Sequence, residues 1–168
     1  KLKKIKIPSA LITHKELISK ISKMDYYIYV SSGMCELNDI DDLINILKKN
    51  NAKFELMHCI GSYPANEKDL NLSLIEFYKK RYDCKVGYSG HEKTVSPSIV
   101  AATLGANTIE RHITLDRSMI GTDHAASLEE SGLLHLVRVI RKLPIITGKP
   151  EKILLREEGE ILKKMKYW

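Results

Sequence analysis

Two histidines and two acidic residues in the second half of the chain could form a metal-centred site. His91 and His112 each stand where a successive strand-like segment is expected to end. Imidazole nitrogens bind ions such as Zn, Mn and Fe, and a site with two histidines leaves positions open for water and substrate. Glu110 precedes His112 by two residues, and Asp123 lies in the loop that follows. The alternative is a pair of hydrogen-bonded histidines that bind no metal.

Side-chain alternation along the last of these strands sharpens the prediction. Glu110 and His112 are two residues apart, so on a strand they point to the same side, whereas Arg111 points away. A carboxylate and an imidazole on one face could bind a metal ion and a substrate hydroxyl together. Alternatively, Glu110 forms an ion pair with a lysine inside the same fold.

A cation and several hydroxyl groups follow the other predicted strands. Lys6 and Ser9, with Ser31 and Ser89, stand at strand ends and could converge on a carboxylate or phosphate, which needs charge-assisted donors from several directions. Ser31 also lies shortly before a predicted helix, where a serine commonly caps the first turn. Both interpretations remain open at this point.

The strand around His58 carries two more candidates. His58 stands at a strand end like the residues above, and Tyr63 lies in the loop that follows it, next to Pro64. Tyr63 could form a wall of a substrate site, or the Tyr-Pro pair could simply form a turn. His135 falls in the middle of a predicted helix, which indicates a structural or solvent-facing residue.

Five β/α units must position these residues. The strand-like segments are residues 5–7, 26–30, 54–57, 85–88 and 108–110, and the helical patterns are residues 14–24, 36–49, 70–82, 96–104, 127–143 and 156–165. Strands that alternate with helices predict a parallel sheet, either open and doubly wound or part of a (β/α)8 barrel. Because the strand ends of a barrel converge on one mouth, the repeated polar strand ends favour the barrel.

Composition excludes several classes of protein. The chain has 168 residues and a formal charge of +6, with lysines in short scattered clusters that indicate a solvated surface or an anionic small substrate. We find no nucleic-acid-binding motif. No apolar run is long enough to span a membrane. The three widely spaced cysteines form neither a disulfide framework nor a zinc motif, so we expect a reducing, cytoplasmic compartment.

Several longer motifs resemble those of the N-acetylneuraminate (sialic acid) synthase family, which includes legionaminate and N-acylneuraminate-9-phosphate synthases. The matching stretches are KIPSA at 6–10, SSGMCEL at 31–37, MHCIGSYPA at 57–65, VGYSGHE at 86–92, ERHITLDRSMIGTDHAASLE at 110–129 and GKPEK at 148–152. They occur in family order over most of the chain.

The resemblance implies an enzyme that condenses phosphoenolpyruvate with an N-acyl hexosamine, such as N-acetylmannosamine, to a nine-carbon 2-keto sugar acid and releases phosphate. It implies a divalent metal, Mn or Mg, and a homodimer at full length. By position, His91 and His112 would bind the metal, and His112 and Glu110 would be catalytic. The other implied contacts are to phosphoenolpyruvate from Lys6, Ser9, Ser31 and Ser89, and to the amino sugar from Tyr63, Glu110 and Asp123.

The resemblance also implies that residues 1–168 are a partial (β/α)8 barrel domain, with strands four to eight of the barrel. The first three strands, with a general acid/base glutamate and a further lysine, and a small antifreeze-like domain would lie outside this chain. Gly90 and Gly61 depart from the family pattern, which often has Asp at the first position. Two other interpretations remain: an aldolase-like barrel for a different sugar, and a non-catalytic remnant that acts as an assembly or binding module.

Overall fold

The computed structural model describes residues 2–168, which contain one five-stranded parallel sheet in the order β1-β2-β3-β4-β5. The strands are Lys4–Ile7 (β1), Tyr27–Ser31 (β2), Lys53–Cys59 (β3), Lys85–Gly90 (β4) and Ile109–Arg111 (β5). The helices are Lys15–Ser22 (α1), Leu37–Lys49 (α2), Leu74–Tyr82 (α3), Ser96–Thr103 (α4), Glu130–Thr147 (α5) and Arg156–Met165 (α6). The predicted β/α alternation is confirmed.

Strand alternation separates an apolar outer face from a polar inner face. The outer face packs against the helices through a core that includes Ile28, Val30, Leu56 and Val86. Helix α2 contributes Ile40, Leu43, Ile44 and Leu47, whose spacing of three and four residues places them on one buried stripe. The helices therefore cover the outer face, and the inner face is left for polar side chains.

The sheet is strongly curled. Lys6 of β1 and Glu110 of β5 form an ion pair of 2.7 Å, although β1 and β5 are the two edge strands. In a flat sheet, neighbouring strands about 4.8 Å apart would separate these edges by roughly 19 Å. Because lysine and glutamate side chains cannot bridge that gap, the strands must wrap around an interior, as they do in part of a (β/α)8 barrel.

Helix ends differ in detail from the predicted bounds. Helix α2 begins after the N-cap residue Glu36, whose backbone N–H donates to Asp39 Oδ2 at 2.9 Å, so Ser31 is not its N-cap. Helix α5 continues through Pro144 to Thr147, beyond the predicted end. Within residues 2–168, no helix combines the length and apolar character that a membrane crossing requires.

Candidate active site

The carboxyl ends of all five strands contribute polar side chains to the inner face. Lys6 lies on β1, Ser31 on β2, Cys59 on β3, Ser89 on β4 and Glu110 on β5. The sheet register aligns Cys59 with Ser89 and Ser89 with Glu110. The structure thus brings most of the predicted strand-end residues to one place, as the barrel interpretation requires.

Glu110 joins three strands at this place. Its Oε1 atom accepts hydrogen bonds from Lys6 Nζ at 2.7 Å and from Ser89 Oγ at 2.8 Å. Burial raises the pKa of Glu110, but the bonds from Lys6 and Ser89 outweigh it, so the pKa lies below its ordinary value. The predicted ion pair with an interior lysine is therefore present. The Lys6 ammonium has three N–H donors, and an anion could accept those that Glu110 does not use.

Ser31 carries an unsatisfied hydroxyl group. The residue is 2% exposed, and its Oγ has no hydrogen-bond partner among residues 2–168. Buried polar atoms are usually hydrogen-bonded, so this hydroxyl is free to bond to water or to a molecule in the site. The neighbouring hydroxyl of Ser32 instead donates to the Met57 carbonyl at 3.2 Å. Of these two serines, only Ser31 has a hydroxyl group that is available to a bound molecule.

Ser9 and Cys59 connect the anion-binding candidates to the histidines. Ser9 Oγ accepts from the Gly33 backbone N–H at 3.0 Å and lies 3.8 Å from Cys59 Sγ. Cys59 Sγ lies in turn 3.9 Å from His91 Nδ1. Cys59 was not among the residues predicted for the site. Alternation would have placed it on the inner face, because it lies two residues after Met57 and pairs in register with Ser89.

His91 is held as a neutral imidazole with one free ring nitrogen. Its Nδ1 lies 2.8 Å from the Ile60 carbonyl, which can only accept, so Nδ1 carries the hydrogen. Burial lowers the pKa of His91, and the carbonyl bond only partly offsets this effect. The Nε2 lone pair is therefore available. The His112 ring lies 5.2 Å from the His91 ring, at an interplanar angle of 77°.

Tyr63 and Asp123 complete the surroundings of the two histidines. The centroid of the Tyr63 ring lies 4.1 Å from that of the His91 ring and 5.6 Å from that of the His112 ring. His112 Nδ1 lies 3.6 Å from Asp123 Oδ2, an ion-pair distance if the imidazole is protonated. Tyr63 is 43% exposed and can contact a ligand from the solvent side.

The donor set fits a divalent metal that keeps several open positions. No group of three or more His, Cys, Asp or Glu side chains that could hold a metal ion occurs within residues 2–168. If a metal binds here, His91 and His112 are the side chains that would hold it, and water or substrate would fill the remaining positions. The carbonyl bond to His91 is the type of outer contact that fixes the tautomer of a ligating histidine.

His58 does not belong to this site, so its assignment to the shared mouth is wrong. Its side chain lies on the outer face and is only 1% exposed. There Nε2 lies 2.7 Å from the Leu70 carbonyl oxygen, and the ring packs near Tyr78 and Tyr88. The reason is alternation, since His58 has the same parity as the outward-facing Leu56. His135 is exposed on α5, in agreement with its prediction.

Comparison with known proteins decides the family. The NeuB family profile matches residues 1–152. The chain belongs to the NeuB family. It is 41% identical over 150 residues to the N,N'-diacetyllegionaminic acid synthase of Campylobacter jejuni, covering 88% of this chain and 45% of that protein. It is 40% identical over 139 residues to the human N-acetylneuraminate-9-phosphate synthase, covering 82% of this chain and 39% of that enzyme.

A solved structure supports the barrel assignment of this NeuB family chain. The N-acetylneuraminic acid synthetase of Leptospira borgpetersenii, crystallised with citrate, superposes with a TM-score of 0.85 at 32% identity. The match covers 96% of this chain and 57% of that one. The fold is therefore part of a (β/α)8 barrel, as predicted. The chain spans less than half the length of the two sequence relatives.

Proposed function

We propose that this NeuB family chain is the metal-bearing part of a synthase that condenses phosphoenolpyruvate with an N-acyl hexosamine. The product is a nine-carbon 2-keto sugar acid, and inorganic phosphate is released. The relatives are named as synthases of N-acetylneuraminate 9-phosphate and diacetyllegionaminate, which supports a sugar-acid synthase in general. The proposed substrates, the Mn or Mg ion, the homodimer at full length and the cytoplasmic location go beyond those names.

The convergence of Lys6, Ser31 and Ser89 at the strand ends carries the proposal. Lys6 and Ser89 both donate to Glu110, and the buried Ser31 hydroxyl lacks a partner among the described residues. A small anion such as phosphoenolpyruvate would satisfy the Ser31 hydroxyl and the remaining donors of Lys6. Donors that are fixed before the anion binds stabilise negative charge strongly, since they need not reorganise. Ser9 is the fourth proposed contact to this substrate.

The histidine side of the site suits the acceptor sugar. Tyr63 packs against both histidine rings, Asp123 lies beside His112, and Glu110 precedes His112 by two residues on the same face. Together they offer an aromatic wall and two carboxylates for sugar hydroxyl and amide groups. When bound, a divalent ion would supply Lewis-acid polarisation of the sugar aldehyde. His91 and His112 would hold that ion, and Glu110 would stay ionised close to the reacting atoms.

The proposed reaction balances as follows. C3 of phosphoenolpyruvate forms a bond to the aldehyde carbon, whose oxygen becomes a hydroxyl after protonation. Water adds to the resulting oxocarbenium carbon at C2 and loses a proton. The C2–O bond to phosphate then breaks, so the water oxygen becomes the keto oxygen of the product. Lys6 and Ser31 would hold the carboxylate and phosphate oxygens throughout these steps, and Ser89 would join them by turning its single O–H from Glu110 to the substrate.

A phosphate-release assay on the full-length protein tests the proposal. Phosphoenolpyruvate and Mn²⁺ would be supplied with a panel of N-acyl hexosamines, including N-acetylmannosamine, its 6-phosphate and a diacetylated hexosamine. We expect phosphate release with at least one of these sugars and none without sugar. Mass spectrometry should find the nine-carbon acid. No release with any sugar of the panel would refute the proposed function and favour a non-catalytic remnant.

A further inference from the structure

A buried ion pair lies behind the two histidines, on the opposite face of the strands. The side chains of Glu92 and Arg111 are 0% and 2% exposed, and Arg111 Nη1 donates to Glu92 Oε1 at 2.8 Å. Glu92 also accepts from Tyr88 Oη at 2.9 Å and from Ser98 Oγ at 3.2 Å. Arg111 also donates to the backbone carbonyls of Glu92 and Thr94. These contacts make one network, here called the outer clamp.

The outer clamp involves the chain neighbours of both predicted metal ligands. Glu92 directly follows His91, and Arg111 directly precedes His112. The register pairs Gly90 with Arg111, which is the last aligned pair of β4 and β5. Beyond that point the sheet ladder no longer joins the two strands. The bond from the Arg111 guanidinium to the Glu92 carbonyl therefore links the residue before His112 to the residue after His91. This link lies where the hydrogen bonding between β4 and β5 ends.

The lack of space around Gly90 shows that the outer clamp is tightly packed. A Cβ atom on Gly90 would lie 2.7 Å from Glu92 Oε2 and 2.8 Å from the Tyr88 ring. Any larger residue at this position would have to displace the Glu92 carboxylate. The glycine in this chain and the buried Glu92 carboxylate therefore accommodate each other.

Stability alone is a poor explanation for this arrangement. Burying two charges carries a large desolvation cost, and well-packed apolar residues in their place often give equal or greater stability. The Arg111 Nε atom is also buried without a hydrogen-bond partner among residues 2–168. A network that bonds the side chain of the residue before His112 to backbone carbonyls just after His91 does, however, restrict geometry. Outer contacts of this type orient the ligands of metal sites.

We infer that Glu92 and Arg111 are positioning residues, which set the separation and relative orientation of the His91 and His112 rings for a divalent ion. This inference rests on the proposed metal site and deepens it. Neither side chain touches the substrate site, since alternation directs both away from the inner face. Their replacement should therefore change metal affinity before it changes the substrate contacts themselves.

Direct titration of the full-length protein with Mn²⁺, followed by electron paramagnetic resonance of the free ion, tests the inference. The double variant Glu92→Met/Arg111→Met removes both charges together and leaves no unpaired one. We expect Mn²⁺ affinity to fall about 10- to 100-fold, the usual effect of losing an outer-shell contact. The melting temperature should stay close to that of the wild type. A folded double variant with wild-type Mn²⁺ affinity would overturn the inference.

Further variants separate the possible causes of failure. Arg111→Lys keeps the charge but not the forked bonds, so it should also weaken Mn²⁺ binding, and it decides the question if the double variant does not fold. Asp41→Asn/Arg81→Met removes an ion pair of α2 and α3 far from the site and should leave the affinity unchanged. Unaltered Mn²⁺ binding in His91→Ala would refute the ligand assignment and this inference together. Wild-type Mn²⁺ binding through His91 without phosphate release would refute only the proposed reaction.

Discussion

Lys6 and Glu110 lie 104 residues apart on opposite edge strands, yet their side chains form an ion pair of 2.7 Å. The pair exists only because the sheet curls around an interior. It also places a carboxylate that stays ionised beside the cation proposed to bind phosphoenolpyruvate. The same contact therefore reflects both the curvature of the sheet and the distribution of charge in the site.

Replacement of Glu110 by Gln should separate its two effects. The variant keeps an acceptor for Ser89 but removes the negative charge, so turnover with the amino sugar should fall roughly 10- to 100-fold, because a hydrogen bond to a charged group contributes about 1.5–3 kcal/mol. Affinity for phosphoenolpyruvate should not fall, because Lys6 is released and a like charge is removed. Steady-state kinetics and calorimetry would measure these effects. Glu76→Gln, which alters an exposed helical ion pair, is the control. Equal losses in both quantities would contradict the prediction.

Replacement of Ser31 by Ala should weaken anion binding without destabilising the protein. The hydroxyl has no partner to lose within the described structure, so the melting temperature should stay the same or rise. A hydrogen bond to a charged group contributes about 1.5–3 kcal/mol, so the dissociation constant for phosphoenolpyruvate should rise roughly tenfold or more.

The adjacent Ser32 provides a matched control for that experiment. Ser32→Ala removes a bond to the Met57 carbonyl and should lower the free energy of unfolding by about 1 kcal/mol. Its affinity for phosphoenolpyruvate should remain that of the wild type. If Ser31→Ala behaves like Ser32→Ala, the assignment of Ser31 to the anion site is wrong.

Removal of either proposed metal ligand should abolish metal-dependent activity. His91→Ala and His112→Ala should release no phosphate at Mn²⁺ concentrations that saturate the wild type. Removal of the metal ion with a chelator should abolish phosphate release by the wild type in the same assay. His135→Ala makes the same substitution on the exposed part of α5 and should be fully active. Full activity of either site variant would refute its role as a ligand.

Acid should destabilise the protein through His58. Burial lowers the pKa of His58, although its bond to the Leu70 carbonyl partly opposes this effect. The unfolded chain therefore takes up the proton first, near the ordinary value of about 6.5. The stabilisation is complete above that pH and is lost as the pH falls towards the folded-state pKa.

Denaturant unfolding at several pH values would test this linkage. His58→Gln cannot titrate, so its free energy of unfolding should depend less on pH below about 6.5 than that of the wild type. The difference in slope cannot exceed about 1.36 kcal/mol per pH unit for one group. His135→Gln, at an exposed position of α5, is the control. Parallel pH profiles for His58→Gln and the wild type would contradict the prediction.

The sequence predicted those parts of the fold that depend on local rules, namely residue spacing in helices and side-chain alternation in strands. The predicted helix at residues 156–165 coincides with α6, and the apolar stripe of α2 is buried as its spacing indicated. The opposite directions of Glu110 and Arg111 follow from alternation, and the structure shows both. The same rule would have placed His58 outside and Cys59 inside, had it been applied to β3.

The sequence by itself determined the order of strands and helices, the parity of each side chain and, through its long motifs, the resemblance to one family. Only the tertiary structure decided which side chains meet. The contact of Lys6 with Glu110, the position of Cys59 near Ser9 and His91, and the bond of Arg111 to Glu92 all depend on how far the sheet curls. Alternation is set within a single strand, whereas curvature is a property of all strands packed together, so no local pattern contains it.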